Sequence, residues 1–343
     1  MMHRNKLWML LILLAGFHVL VLFAGFFAPY NFSAQDRDFP YAAPSRIHFV
    51  DAQGKLHVRP FVYSLKDDPN AFGAYLPDTR RIYPLRFFVT GAPYKIAGLF
   101  SSHLHLFGVD DPDRIFLMGT DDFGRDQFSR FLYGGQISLA AGLIAAALSL
   151  SLGIIIGALA GFYGGWIDAA LMRGGEMFLA LPWLYLLFAV RAALPLHVSQ
   201  WQVFLLLVAV IGLIGWARPA RLIRGVVLSA KERYFVSAAR GFGASDFYLL
   251  RRHVLPQTYS VVLTQMTLLI PQYILAEVTL TFLGLGVGEP MPSWGSLLAS
   301  LQQYYVLSSY WWMFLPVMLL VPIFFAYSMT ADALQERLKS IPL

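Results

Sequence analysis

The chain has 343 residues, 57% of them hydrophobic and 13% charged, with a mean hydropathy of +0.58. A soluble domain is about 45–50% apolar and about 25% charged, so this chain has too little polar surface to coat a globule and reads as an integral membrane protein. The 26 Lys and Arg against 20 Asp and Glu leave +6, and zero cysteines exclude a disulfide scaffold, thiolate metal sites and a cysteine nucleophile.

A membrane-crossing helix needs about 20 mostly apolar residues. The first run is 7–27, behind His3-Arg4-Asn5-Lys6. It is longer than a signal-peptide core and no A-x-A site follows, so it reads as an uncleaved anchor. Residues 28–136 break the pattern, with 12 acidic and 12 basic residues and many prolines and aromatics. Alternating runs at 46–50 and 55–63 flank Asp51-Ala52-Gln53-Gly54 and predict a β-hairpin. Apolar character then returns, with spans expected at 137–161, 177–195, 201–217, 259–284 and 311–330. The fold class expected is therefore an all-α polytopic membrane protein of six transmembrane helices with an extracytoplasmic insert containing some β structure. Its parts are 1–30 (cytoplasmic N-terminus and first helix), 31–133 (insert) and 134–343 (core, with a cytoplasmic loop at 218–258).

Basic loops stay cytoplasmic. Arg218, Arg221, Arg224, Lys231, Arg233, Arg240, Arg251 and Arg252 lie between the fourth and fifth spans, against only Glu232 and Asp246. Six spans then place both termini in the cytoplasm, and the insert and the 285–310 loop outside. Within the basic loop, 230–240 predicts an unbroken helix, Gly241 and Gly243 a sharp turn, and Ser245 the cap of a short helix through about 253. Pro256 is expected to end that helix and start the next span.

Here a resemblance becomes specific. Ser237-Ala238-Ala239, then Gly243, then Leu255-Pro256 resembles the "EAA" loop of binding-protein-dependent ABC importer permeases. The stretches at 119–139, 161–173 and 276–298 are similar to the dipeptide/oligopeptide/nickel group, C-type subunit. The resemblance implies that a five-helix permease core follows the N-terminal helix, and that Ser237, Ala238, Ala239, Gly241, Gly243, Ala244, Leu255 and Pro256 form the coupling loop that seats on a cytoplasmic ATPase. Ser237 stands where the family has Glu. Implied partners are a homologous B-type permease in a heterodimer, two ATPase subunits, an extracytoplasmic solute-binding protein and membrane lipid, but no nucleic acid. Transport would run by alternating access in a bacterial inner membrane, with a peptide as cargo and nickel or another small solute as the alternative.

No GxxxxGK[ST], HExxH or GxSxG occurs, so no catalytic residue or metal site is expected, and ATP and Mg belong to partner subunits. A channel or scaffold subunit is a rival from another class. So is an intramembrane protease, for which His18, Ser149 and Ser151 supply the residue types. His103 and His105 share a strand face and read as exposed insert surface, with metal ligation as the alternative. Ionisable residues inside spans are functional candidates, here Arg191 and Glu277, as a charge pair or as lining of the translocation path.

Overall fold

The computed structural model describes residues 2–69, 73–96, 98–180, 182, 185–186, 188–189 and 198–339. In chain order, α1 (Met2–Leu22) and α2 (Ala24–Phe27) precede strands β1 (His48–Val50), β2 (Leu56–Asp67), β3 (Tyr75–Pro84), β4 (Arg86–Ile96) and β5 (Phe100–Gly108). Helices α3 (Gln127–Tyr163), α4 (Gly165–Ala180), α5 (Gln200–Gly215), α6 (Ala217–Lys231), α7 (Tyr234–Gly241) and α8 (Asp246–Leu249) follow. The last are α9 (Tyr259–Phe282), α10 (Trp294–Ala299), α11 (Tyr304–Ser309) and α12 (Leu315–Lys339). Five segments among the described residues are long and apolar enough to cross a membrane: Asn5–Leu22, Gln127–Tyr163, Gln200–Lys231, Asp246–Phe282 and Trp311–Leu338. They account for five of the six expected spans; the remaining one, 177–195, lies largely outside the described residues. In lipid every backbone group must be satisfied by protein, and a lone apolar run of this length does so as a helix.

The backbone divides into two compact units, one comprising 15–138 and 280–322, the other 1–14, 139–279 and 323–343. The first holds all the strands. β1, β2 and β3 form an antiparallel sheet in that order, and β4 pairs with β5 in a two-stranded ribbon. The expected hairpin is present: Asp51 accepts from the Gln53 and Lys55 amides, and Gly54 takes φ +81°. Val62, Leu85, Phe107 and Ile115 form the core beneath. His105 corrects an expectation. It is buried, with Nδ1 2.6 Å from the Ala28 carbonyl and Nε2 3.0 Å from that of Ala92, while only His103 is exposed.

An ion network ties the same unit together. Arg125 donates to Asp121 and to Glu289 at 2.7 Å each, and Arg130 donates to the other oxygen of Glu289 at 2.8 Å. Both guanidiniums are buried, so charge-assisted pairing is what makes them tolerable there. Beside them Asp126 accepts from the Ser129 amide and hydroxyl, and burial pushes its pKa up to about 6.

The second unit is helical. Gly153, Gly157 and Gly161 recur every fourth residue on α3, and α6 lies against them. A methyl at Gly157 would sit 2.5 Å from the Ala220 carbonyl oxygen, and one at Gly161 2.8 Å from that of Arg224. Small residues at this spacing let two backbones approach. Arg224 then grips Asp168 of α4 with both arms at 2.5 Å, holding that carboxyl below its usual range, and Lys231 donates to the Gly161 carbonyl at 3.0 Å. Ser149 meets the Tyr273 hydroxyl at 2.9 Å rather than a histidine. The geometry a serine protease needs is not built at Ser149.

Candidate functional site

The element from 232 to 258 leaves the end of α6. The expected unbroken helix over 230–240 is interrupted, because Arg233 is extended at φ −71°, ψ 144° and α7 starts afresh at Tyr234. No breaker in the sequence marks this kink. It is set by packing: the restart lets Val236 turn inward onto Leu150, Phe162, Ile223 and Val227.

The turn after α7 is closed by three backbone bonds. Phe242 N–H donates to Ala238, Gly243 N–H to Arg240, and Ala244 N–H to Ala239. This is a Schellman motif, which requires a left-handed residue one past the cap. Gly243 supplies it at φ +85°. Gly241 was expected to share that task; instead it is the last residue of α7. Ser245 caps α8 as expected, accepting from the Tyr248 amide. Pro256 does not end the helix. Leu250–Val254 is a π turn and Leu255–Thr258 a 3-10 turn, and the helix runs on into α9. The wide turn just ahead of Pro256 accommodates a residue that lacks an N–H and crowds the preceding turn.

The element therefore has two faces. Val236, Leu249 and Val254 are buried in the unit's own core, with Ala239 and Ala244 packed against them. Burying side chains of this size contributes about 1.5–3 kcal/mol each. The other face carries Ser237, Ala238, Gly241 and Gly243 in the open, with Tyr234 95%, Phe242 92% and Phe247 70% exposed. Phe235 and Tyr248 are exposed as well. Arg233, Arg240, Arg251 and Arg252 rim the patch. An apolar patch with a polar rim marks an interaction site. The small residues of the motif are thus split between the two faces. The aromatics were missed in the sequence, although Tyr234-Phe235 and Phe247-Tyr248 each bracket a turn that must be exposed.

Of the other expected site residues, Glu277 is fully buried on α9, and Arg191 lies outside the described residues. A cavity of about 210 Å³ opens among α4, α5, the start of α6 and α9, where Arg218, Gln272 and Tyr273 join apolar walls from Phe178 and Ile211. Among the described residues no cluster of His, Cys, Asp and Glu could hold a metal.

Residues 153–340 match the family model described as "Binding-protein-dependent transport system inner membrane component". The dipeptide transport system permease protein DppC of Bacillus subtilis is 36% identical over 221 residues, covering 64% of this chain and 67% of that protein. A putative peptide transport system permease protein of Brucella suis is 39% identical over 222 residues, covering 65% and 72%. The oligopeptide transport system permease protein OppC of Bacillus subtilis is 34% identical over 230 residues, covering 66% and 72%.

Proposed function

From a chain that belongs to the family of binding-protein-dependent transport system inner membrane components, we propose a permease subunit of an ATP-driven importer of di- and oligopeptides. The chain pairs with a homologous B-type permease on two cytoplasmic ATPase subunits, and an extracytoplasmic protein delivers the solute. Both termini and the 232–258 element face the cytoplasm, and the strand-bearing segment faces outside. ATP and Mg sit on the ATPases, and this chain performs no chemistry.

The observation that carries the reading is the two-faced element at 232–258. Its inner face is part of the permease's own core, and its outer face offers Tyr234, Phe242 and Phe247. Such a surface fills a groove on a partner through aromatic anchors. When the ATPases close on ATP, the element is carried with them, and α3 and α6 follow because Gly157 and Gly161 seat them backbone to backbone. Hydrolysis resets the cycle. The cavity at Arg218 supplies a guanidinium beside apolar walls, a match for the carboxylate and side chains of a peptide.

The test is co-expression with the partner subunits. Phe242→Asp should insert normally, lose co-purifying ATPase and abolish uptake of a labelled tripeptide. Undiminished ATPase association would overturn the coupling role. Tripeptide uptake that does not depend on the wild-type chain would overturn the peptide assignment. A periplasm-active reporter should be active after Asp68 and silent after Lys231; the reverse would overturn the orientation.

A further inference from the structure

The β4–β5 ribbon sits at the outlet of the first membrane helix, and its direction can be read from what it touches. Near its base Phe107 clusters with Ile115 and Tyr30. Farther along, His105 reaches the Ala28 carbonyl. Farther still, the Tyr94 ring lies against the bare face of Gly25. From base to tip the ribbon thus follows the chain back from Tyr30 to Gly25, three residues from the end of α1 at Leu22. It points toward the membrane. Two more strand residues beyond Tyr94 extend it by roughly 7 Å, to Ile96, with Leu99 in the turn and Phe100 opening β5.

The tip has the chemistry of a lipid boundary. Leu99 is 79% and Phe100 71% exposed, and Phe87 and Phe88 are exposed farther back, with Phe88 6.4 Å from Phe26. Residues 94–104 include Lys95 and His103 but no carboxylate. Aromatic and aliphatic side chains beside a lysine, next to the end of a span, are what the headgroup region favours. A two-stranded ribbon is marginal by itself, and β4 and β5 pair only with each other among the described residues.

We propose that the tip of this ribbon, Ile96, Leu99 and Phe100 with Lys95 at their side, inserts into the headgroup–acyl boundary and fixes the strand-bearing segment to the lipid surface. That the leaflet is the outer one rests on the orientation proposed above. The occupant is lipid because the ribbon packs along the residues that follow a membrane span, at Ala28 and Gly25, and carries no carboxylate at its tip.

The chain lacks cysteine, so Leu99→Cys in the assembled transporter accepts a single environment-sensitive fluorophore. Val58→Cys, at a position 99% exposed on β2, is the aqueous control. In phosphatidylethanolamine/phosphatidylglycerol nanodiscs the label at 99 should emit to the blue of that at 58. Lipids spin-labelled high on the acyl chain should quench it, and should leave the label at 58 unquenched. Water-like, unquenched emission at 99 would overturn the proposal. So would a blue shift without lipid quenching, which would assign the tip to a protein partner. A membrane-impermeant maleimide on intact spheroplasts reads the orientation separately. Failure to label Val58→Cys would overturn the side and leave lipid contact to be judged by quenching.

Discussion

Gly241 and Gly243 flank Phe242, and the structure gives them opposite demands. Neither has a heavy atom within 4 Å of where a Cβ would stand, so substitution at either is decided by the backbone alone. Gly243 sits at φ +85°. An L-residue there costs about 1–2 kcal/mol, with valine at the upper end because both its γ-carbons crowd the chain. Gly241 is helical, and alanine there gains roughly 0.5–1 kcal/mol. Gly243→Val and Gly241→Ala should therefore differ by about 2.5–3 kcal/mol in the local stability of 234–249, in favour of Gly241→Ala. Hydrogen exchange of those amides in the assembled complex measures it. Protection should fall for Gly243→Val and hold or rise for Gly241→Ala, while Gly243→Asn, which tolerates the left-handed region, lies between them. ATPase association and peptide uptake should follow the same order. Equal damage from both substitutions would refute the Schellman assignment and return the turn to a shared glycine requirement.

Gly157→Ala places a methyl 2.5 Å from the Ala220 carbonyl and should lower the melting temperature of the complex by an overpacking penalty of about 1–3 kcal/mol, whereas Gly174→Ala, in open space on α4, should not. Ala239→Asp puts a carboxylate against Val236, Leu249 and their neighbours, so it should lose ATPase association together with exchange protection at 234–249, while Phe242→Asp loses only the association. Asp126 has its pKa raised to about 6 by burial. Its protonated form is the one the fold prefers, so its contribution is complete below about pH 4 and is lost as pH rises to 6. Asp126→Asn should accordingly be more stable than wild type at pH 7.5, by roughly 3 kcal/mol at most, and the two melting curves should converge near pH 4; an unchanged gap across that range would remove the assignment.

Long apolar runs are legible because a membrane leaves the backbone no alternative to helix, and α1, α3, α5, α9 and α12 lie where hydropathy puts them. The hairpin at Asp51–Lys55 and the caps at Ser245 and Gly243 are legible too, because each is set by residues adjacent in sequence. What could not be read depends on distant partners. Arg233 breaks a helix without any breaker, since Val236 must reach Leu150 and Ile223. β3 to β5 alternate too poorly to betray a strand, because much of their length is exposed on both faces. His105 reads as surface until Ala28 closes over it. The glycine spacing on α3 was visible as letters, but its meaning needed α6 beside it. In the motif itself the small residues drew attention, and the aromatics that present the surface did not.

The contacts along Gly153, Gly157 and Gly161 have a mechanical corollary. Backbone set directly on backbone has no rotamers to absorb strain, and the van der Waals wall at such distances is steep. With Lys231 clasping the end of α3 and Arg224 clamped to Asp168, displacement of α6 has no soft side-chain layer to dissipate in where it meets the α3 backbone at Gly157 and Gly161. Under the proposed coupling role, such a seat would transmit distance rather than affinity: one added methyl there would push α3 and α6 apart, leave the outer face at Phe242 intact and still shorten the stroke.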